Sequence, residues 1–391
     1  MNHKIEETID PLTVSVIGLG LIGGSLARAL RSRWERVDKL YAFDTDENML
    51  AQALREGVAD MTFALSAQAP DFNLDESRAL ADSDLVVICT PVDLIPAYAH
   101  LTSKVSGALI TDVGSVKKQV MEQTVGLRFV GGHPMAGSER HSFICSDEGL
   151  FENAVYVICP RTDFDNEMSV KAADVGGTPA DDVSLLDEMI RSIGAMPRHM
   201  EADEHDRAVA AISHLPHVVA AGLVNTATQE GEEKSGAFME LAAGGFRDVT
   251  RIASSDSSLW TNIVSLSRAK LLPILDRFDE NMKVFRTALE KEDAVAIQEF
   301  FDSASQSRAR LSASGGGALM TDALINVEVE DRPGELAVIA TLLGVRGISI
   351  KNMSIVHARQ YEGGRLQLFL SEHHQVALAK ELLTKAGYEC D

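Results

Sequence analysis

Short apolar runs alternate with amphipathic stretches along the first 160 residues of the chain. TVSVI at 13–17 has the apolar run of a buried strand, and the stretch after GLGLIGG has the periodicity of an amphipathic helix. Further runs predict strands at 39–43, 84–91 and 108–115, and AVYVICP predicts a last strand that ends near residue 160. Strands that alternate with helices indicate a parallel sheet with crossover connections. The pattern therefore predicts an α/β domain with a mainly parallel sheet.

The pattern becomes helical further along the chain. Residues 161–188 are polar and predict a surface loop that leads into a helix, whereas about 201–311 shows long helical periodicity with almost no strand signal. The longest apolar run, AVAAISHLPHVVAAGLV at 208–224, contains two histidines and Pro216, which interrupts the helix. We therefore expect a buried helix pair and no membrane span. So long an apolar helical region is typical of a dimer interface, which predicts a homodimer.

The C-terminal residues change character again. SASGGGA at 312–318 is typical of a flexible linker. After it, a strand, a helix, two strands and a helix are predicted, with a short last strand at Tyr388–Cys390, which is the order of a ferredoxin-like α+β unit. The predicted domains are an α/β domain at 1–190, an all-α domain at 191–311, a linker at 312–320 and an α+β domain at 321–391.

Composition narrows the class of partner. The chain has 391 residues and a formal net charge of -22, which argues against binding to nucleic acid or to an anionic membrane. Its four cysteines are scattered without metal-ligand spacing, and its N-terminus is polar. These features predict a cytoplasmic protein without a metal site.

A glycine-rich loop follows the first strand. Gly18, Gly20 and Gly23 form GxGxxG between a strand and a helix, the context in which this motif binds a dinucleotide pyrophosphate at the helix N-terminus. Leu21 and Ile22 complete the loop. Asp44 ends the second predicted strand, where a carboxylate accepts hydrogen bonds from ribose hydroxyls and repels a 2′-phosphate. The sequence therefore predicts a Rossmann-like domain that binds NAD, although RSR at 31–33 leaves NADP open.

A lone histidine lies in GGHPMAGSE at 131–139. Glycines beside it would allow close approach of a ligand or of another backbone segment, and Pro134 favours an extended conformation at His133. A loop of this composition is suited to presenting a base, but the residues alone leave a structural histidine equally open.

Several ordered motifs together carry a family resemblance over about residues 13–310. Besides the glycine loop and GGHPMAGSE, they are CTPV at 89–92, DVGSVK at 112–117, HDRAVAAISHLPHVVA at 205–220 and GGFRDVTRIASSDSSLW at 244–260. The chain resembles the prephenate/arogenate dehydrogenase family of tyrosine biosynthesis. The resemblance implies that His133 is the catalytic base, that Ser115 orients it or the substrate hydroxyl, and that Thr90, Pro91 and Val92 contact the cofactor.

The resemblance also implies a set of substrate-binding residues. Arg251 would hold the ring carboxylate of prephenate, His217 would lie near the pyruvyl side chain, and His205 would lie nearer the entrance. The further members are His214, Glu139 as a gating acid and Trp260 as a pocket wall. Structural roles stay open for each histidine and for Trp260, and a surface ion pair stays open for Arg251. SERHSF after the histidine motif and DSSLW before Trp260 depart from the family pattern.

The C-terminal unit, with EDRPGEL at 330–336 and GISIKNMSI at 347–355, looks like an ACT domain. This resemblance implies feedback inhibition by tyrosine, with an effector site formed by Asp331, Pro333, Gly334, Asn352 and Met353. The sequence leaves three other functions open. One is arogenate dehydrogenase, another is a non-catalytic regulator that senses NAD or an amino acid, and the last is a β-hydroxyacid-type dehydrogenase, for which a catalytic lysine would be expected.

Overall fold

Eight short strands form the central sheet of the protein, in the order β3-β2-β1-β4-β5-β6-β7-β8. The computed structural model describes residues 10–67, 70–137, 142–161, 178–234, 241–313, 323–330, 332–356, 364–370 and 373–391. It divides into two compact units, Met1–Thr287 and Ala288–Asp391. The sheet belongs to the first unit. Its strands are β1 (Leu12–Ile17), β2 (Val37–Asp44), β3 (Met61–Ala64), β4 (Leu85–Ile88), β5 (Leu109–Asp112), β6 (Phe129–Pro134), β7 (Val155–Cys159) and β8 (Met196–His199).

All neighbouring strands are parallel except β6 and β7, which are antiparallel. Strand β1 is buried along its whole length, as expected for a parallel strand covered on both faces. Within the described residues the helices that connect the strands are α1 (Leu21–Arg33), α2 (Glu47–Arg55), α3 (Leu74–Ala81), α4 (Ile95–Val105), α5 (Lys118–Gln123) and α6 (Ala180–Ser192). The chain leaves β1 for β2 on one side and later returns to β4 on the other, which makes a topological switch point at the carboxyl ends of β1 and β4.

The predicted strands are confirmed, but the predicted end of the domain is wrong. The strand near residue 160 is not the last, because β8 extends the sheet to His199. The boundary at residue 190 therefore falls inside α6. Strand β8 has the sequence MPRH and is half-buried to exposed, so it lacks the apolar signal of a strand. Strand β6 was also not predicted, since FVGGHP carries two glycines and a proline.

The helical part of the first unit follows β8. It contains α7 (Ala202–Val209), a π-helical turn (Ala210–His214), α8 (Leu215–Lys234), α9 (Gly244–Thr250), a 3-10 turn (Arg251–Ser254), α10 (Ser257–Leu266) and α11 (Arg268–Glu290), the last of which continues into the second unit. The expected helix pair at 208–224 is instead one helical path whose hydrogen bonding changes just before Pro216. Pro216 has no backbone N–H to donate. It lies directly after the π turn, where the regular α-helical hydrogen bonds are already interrupted.

This helical path exposes apolar side chains. Ile212 is 69% exposed, and Leu223 is 42% exposed. Among the described residues, the stretch Ala202–Glu230 is long and apolar enough to cross a membrane by length and composition, which is also true of core helices in soluble proteins.

The second unit contains a four-stranded antiparallel sheet in the order β10-β11-β9-β12. Its elements are α12 (Ala294–Ala313), β9 (Leu324–Val329), α13 (Glu335–Gly344), β10 (Ile350–Val356), β11 (Gly364–Leu370), α14 (Val376–Lys385) and β12 (Glu389–Cys390). This is the predicted ferredoxin-like βαββαβ arrangement, and the short last strand is confirmed. Helix α12 extends into the predicted linker as far as Ala313, and residues 314–320 of that linker lie outside the described residues.

Candidate active site

The glycine loop has the geometry of a dinucleotide site. Gly18 has φ +99°, and a Cβ atom there would lie 2.8 Å from the carbonyl oxygen of Cys89. A Cβ at Gly23 would lie 1.9 Å from the carbonyl oxygen of Gly18, so this glycine lets α1 pack against the loop. A Cβ at Gly20 would meet nothing within 4 Å. The space beside Gly20 is therefore open on the side where a pyrophosphate approaches.

Helix α1 offers free backbone donors to that space. Its N-cap is Gly20, which has no side-chain cap, and its first intrahelical hydrogen bond runs from Gly24 N to Gly20 O at 2.9 Å. The N–H groups of Leu21, Ile22 and Gly23 precede that bond and have no acceptor within the helix. Donors of this kind at a helix N-terminus favour an anion.

Asp44 and the loop after β4 lie beside the glycine loop. Asp44 ends β2, where its Oδ2 accepts a hydrogen bond from Leu19 N at 2.6 Å and its Oδ1 accepts one from Asp46 N at 2.8 Å. Thr90 N would lie 3.2 Å from a Cβ at Gly18. Thr90 is half-buried and Pro91 is exposed, whereas Val92 is buried. The nucleotide-binding residues predicted from the sequence therefore collect at the carboxyl edge of the sheet, at its switch point.

His133 lies on a strand and not, as predicted, in a loop. It is the fifth residue of β6, is half-buried, and pairs across the sheet with Val157 of β7. Because β5 and β6 are parallel neighbours, Ser115, three residues beyond β5, lies at the same sheet edge. Ser115 does not cap the following helix, since α5 begins at Lys118 with Lys117 as its N-cap and no side-chain cap. Of the two roles considered for Ser115, orientation of the reacting groups stays a prediction.

A buried ion pair holds the backbone next to His133. Asp112 and Lys117 both have side chains that are 0% exposed, and Lys117 Nζ donates to Asp112 Oδ2. Lys117 Nζ also donates to Gly132 O at 2.7 Å, while Gly132 N donates to Asp112 Oδ1 at 3.0 Å. A Cβ at Gly132 would lie 2.5 Å from the carbonyl oxygen of Asp112. Gly132 thus serves close approach of another backbone segment, and both of its peptide groups are fixed by this pair.

His133 is hydrogen-bonded to a second histidine. Its Nδ1 lies 2.8 Å from His205 Nε2, and His205 Nδ1 lies 2.8 Å from Asp206 Oδ1. His205 is 1% exposed, so the expectation that it lies at the entrance of the site is wrong. Burial, followed by the charges of His205 and Lys117, holds the pKa of His133 well below its ordinary value of 6.5. His133 is therefore neutral near pH 7 and able to accept a proton.

His214, His217 and Trp260 form a second cluster. The His217 ring stacks on Trp260 with centroids 3.6 Å apart, and His214 meets the edge of the same indole at 6.0 Å. His214 Nδ1 lies 2.9 Å from Ser267 Oγ, and burial lowers the pKa of His214 to about 4. His214 is only 1% exposed and contacts the indole through its ring, and its predicted place among the substrate-binding residues stays a prediction.

His217 keeps one nitrogen available. Its Nδ1 donates to Ser213 O at 2.9 Å, which leaves Nε2 without the proton when the ring is neutral. Burial lowers the pKa of His217, the hydrogen bond to Ser213 raises it, and the charge of Arg251 lowers it further. Arg251 is exposed at the start of the 3-10 turn, and this turn packs against α8, the helix that carries His217. Trp260 is half-buried, so the three side chains can line a common surface.

The predicted residues that remain lie elsewhere or outside the description. Glu139 and Asp331 lie outside the described residues. Pro333 and Gly334 precede α13, with φ +91° at Gly334, whereas Asn352 and Met353 lie on β10. One half of the predicted effector site therefore lies between β9 and α13 and the other on β10, and strand β11 separates β9 from β10. Among the described residues no group of three or more metal-ligating side chains is present.

Three residues of the site were not found from the sequence, namely Asp112, Lys117 and Asp206. Asp112 and Lys117 were noticed only inside the DVGSVK motif, and Asp206 only inside HDRAVA. For Asp112 the sequence does offer a signal, because a carboxylate at the end of an apolar strand predicts a buried charge that needs a positive partner. The sequence does not show which residue that partner is.

The sheet, its switch-point glycine loop and a neutral histidine at the same carboxyl edge define an NAD-dependent dehydrogenase with a Rossmann-like domain. Comparison with known proteins gives the family. The model for the prephenate dehydrogenase nucleotide-binding domain matches residues 26–175, and the model for the prephenate dehydrogenase dimerization domain matches residues 201–303. The chain belongs to the prephenate dehydrogenase family.

Individual relatives agree with this assignment. A prephenate dehydrogenase of Bacillus subtilis (strain 168) is 33% identical over 390 residues, which cover 96% of this chain and 97% of the relative. The crystal structure of prephenate dehydrogenase from A. aeolicus in complex with hydroxyphenyl propionate and NAD+ has 25% sequence identity and a TM-score of 0.67, and covers 78% of this chain and 100% of its own. Synechocystis arogenate dehydrogenase has 26% identity and a TM-score of 0.60, over 76% of this chain and 99% of its own.

Proposed function

We propose that this chain is a prephenate dehydrogenase that catalyses the NAD-dependent oxidative decarboxylation of prephenate to 4-hydroxyphenylpyruvate in tyrosine biosynthesis. The observation that carries this function is the neutral His133 at the carboxyl edge of the sheet that also bears the open glycine loop. The A. aeolicus relative was solved with NAD+ and a hydroxyphenyl compound, which supports both the cofactor and the substrate class.

The described residues fit NAD. The open space at Gly20 and the free N–H groups of Leu21, Ile22 and Gly23 suit the pyrophosphate, and Asp44 suits the adenosine ribose. Thr90, Pro91 and Val92 form the neighbouring wall. Held by these residues, the nicotinamide would supply the acceptor for the hydride of the hydroxyl-bearing ring carbon.

The residues of this chain manage the proton and the carboxylate. His133 takes the proton of the ring hydroxyl as that carbon loses its hydride and becomes a carbonyl. The ring carboxylate then leaves as CO₂, and its bonding electrons complete the aromatic ring and pass to the carbonyl oxygen. That oxygen takes back the proton from His133, which gives the phenol and restores the neutral base. Arg251 would hold this carboxylate until it leaves, since a guanidinium binds a carboxylate through two parallel hydrogen bonds. Ser115 would orient the hydroxyl, and His217 with Trp260 would line the side-chain end of the pocket.

The proposed enzyme is a cytoplasmic homodimer that tyrosine inhibits through its C-terminal unit. The match to a dimerization domain supports the dimer, because residues 201–303 include the exposed Ile212 and Leu241. The ferredoxin-like topology supports an ACT-like regulatory unit. The four free cysteines are consistent with a reducing compartment.

The test is an absorbance assay for reduced nicotinamide with NAD and either prephenate or arogenate, repeated with tyrosine. Reduction with prephenate, suppressed by tyrosine, is the expected result. Preference for arogenate would keep the chemistry and change the side-chain specificity. Absence of reduction with both substrates would refute the dehydrogenase function.

A further inference from the structure

We infer that Asp206 and His205 act as positioning residues that fix the tautomer of His133, so that its Nε2 is the atom that accepts the substrate proton. This inference rests on the proposed function and adds to it the route by which the base is prepared. It depends on three consecutive groups, His133, His205 and Asp206, that are joined by hydrogen bonds of 2.8 Å and lie between β6 and α7.

Asp206 is the end of this chain of hydrogen bonds whose protonation and position are determined by its surroundings. Its side chain is almost wholly buried, at 5% exposure, and it lies at the N-terminus of α5. Its Oδ1 accepts from Lys117 N at 2.7 Å, and its Oδ2 accepts from Lys118 N at 3.0 Å. Both oxygens are therefore acceptors of backbone N–H groups, and the helix N-terminus favours the negative charge of the carboxylate.

The protons of both imidazoles follow from this beginning. Since Asp206 Oδ1 only accepts, His205 Nδ1 carries a proton and donates it. A neutral His205 then has a bare Nε2, which accepts from His133 Nδ1. A neutral His133 with its proton on Nδ1 has a bare Nε2. If His205 instead carried its proton on Nε2, its bare Nδ1 would need a proton from Asp206. The oxygens of Asp206 already accept hydrogen bonds from two backbone N–H groups.

The same chain of hydrogen bonds stabilises the reaction. When His133 Nε2 takes the hydroxyl proton, the ring becomes an imidazolium while its Nδ1 proton stays in the hydrogen bond to His205. The negative charge of Asp206 lies on the far side of the His205 imidazole and stabilises the new positive charge on His133. In this step no proton has to move between His133, His205 and Asp206. The nearby Lys117 ammonium, already paired with Asp112, acts against protonation and keeps the resting base neutral.

The first experiment compares Asp206→Asn with Asp203→Asn by the NAD reduction assay with prephenate. An asparagine at 206 can donate from its amide to His205 Nδ1, which moves the proton of His205 to Nε2 and blocks His133 Nδ1 as a donor. We expect kcat to fall about 10²- to 10⁴-fold with little change in NAD affinity. Losses of this size are typical when the carboxylate that orients a catalytic histidine becomes an amide and leaves the histidine in the wrong tautomer. Asp203 lies on the same helix but pairs with exposed Lys118 and with Lys270, so Asp203→Asn should keep the wild-type kcat.

A double-mutant cycle separates positioning from mere structure. If Asp206 acts through His133, then Asp206→Asn has no further effect on kcat in the His133→Ala background. Equal losses in both backgrounds would show that Asp206 acts by another route and would overturn the inference.

The second readout does not use activity. In full-length protein with ¹⁵N-labelled histidine, the nitrogen chemical shifts should show His133 with its proton on Nδ1 in the wild type and on Nε2 in Asp206→Asn. A wild-type His133 with its proton on Nε2 would overturn the inference even if the enzyme is active. Wild-type enzyme that fails to oxidise prephenate would refute the proposed function instead, and the nitrogen shifts would still test the tautomer.

Discussion

Replacing Lys117 with methionine should destabilise the first unit strongly. Methionine fills nearly the same volume but removes the charge, so Asp112 is left as a buried anion without its cation. Gly132 O also loses its donor. Asp112 keeps two backbone donors, from Gly114 N at 2.9 Å and Gly132 N at 3.0 Å, and these retain part of its solvation.

The expected loss follows from burial. Breaking a buried ion pair by removing one partner costs about 3–5 kcal/mol, and the two remaining backbone donors place the expected value near the lower end. The matched control is Lys118→Met, the next residue along the chain, whose side chain is 48% exposed where it pairs with Asp203. An exposed pair contributes about 0.2–1 kcal/mol. The two substitutions remove the same charge and differ in burial.

The assay is urea unfolding at one fixed protomer concentration, because a dimer links stability to concentration. A second substitution, Asp112→Asn in the Lys117→Met chain, should recover part of the loss, since it removes the unpaired charge. A Lys117→Met protein no less stable than Lys118→Met would refute the reasoning.

Four other predictions can be checked separately. His133→Ala should lower kcat by about 10²- to 10⁴-fold and leave NAD affinity unchanged; near-normal turnover would contradict its role. Arg251→Ala should mainly raise the Michaelis constant for prephenate, and an unchanged value would remove it from the pocket. Deletion from about residue 319 onward should keep activity and abolish inhibition by tyrosine, and inhibition that survives would place the effector elsewhere. The pKa of His214 is lowered from 6.5 to about 4 in the folded state, so the unfolded chain takes up a proton at a higher pH than the folded chain does. The contribution of neutral His214 to the free energy of unfolding is therefore present above pH 6.5 and lost as the pH falls towards 4. Between pH 7 and pH 5 this amounts to about 2 kcal/mol, so urea unfolding of His214→Gln should show a smaller loss than the wild type.

The sequence was informative wherever a structure depends on local chemistry. The three glycines differ in what surrounds them: Gly18 and Gly23 have the turn and packing roles expected from GxGxxG, and Gly20 has open space where a pyrophosphate is predicted. The ferredoxin-like unit was also predictable, because its strands alternate apolar and polar residues.

Local patterns failed where the structure depends on distant contacts. Strand β6 exists because its glycines pack against Asp112, Tyr156 and Met121, which lie on other elements. Asp206 bonds the backbone of Lys117, 89 residues away, and no spacing in the sequence relates the two. His205 could be assigned to the site only by resemblance, and its burial behind His133 could not be read from its neighbours along the chain.

The π-helical turn at Ala210–His214 has a consequence for how the site tolerates insertions and deletions. Such a turn holds one more residue than the α-helical turn it replaces, and each residue advances an α-helix by about 100°. The turn therefore sets the phase of α8 relative to α7, and with it the directions in which His205 and His217 point from the helix. Deletion of a single residue there would join α7 and α8 into one regular α-helix and would rotate His217 by about 100° relative to His205. A regular α-helix at this place would therefore be incompatible with the proposed roles of His205 and His217.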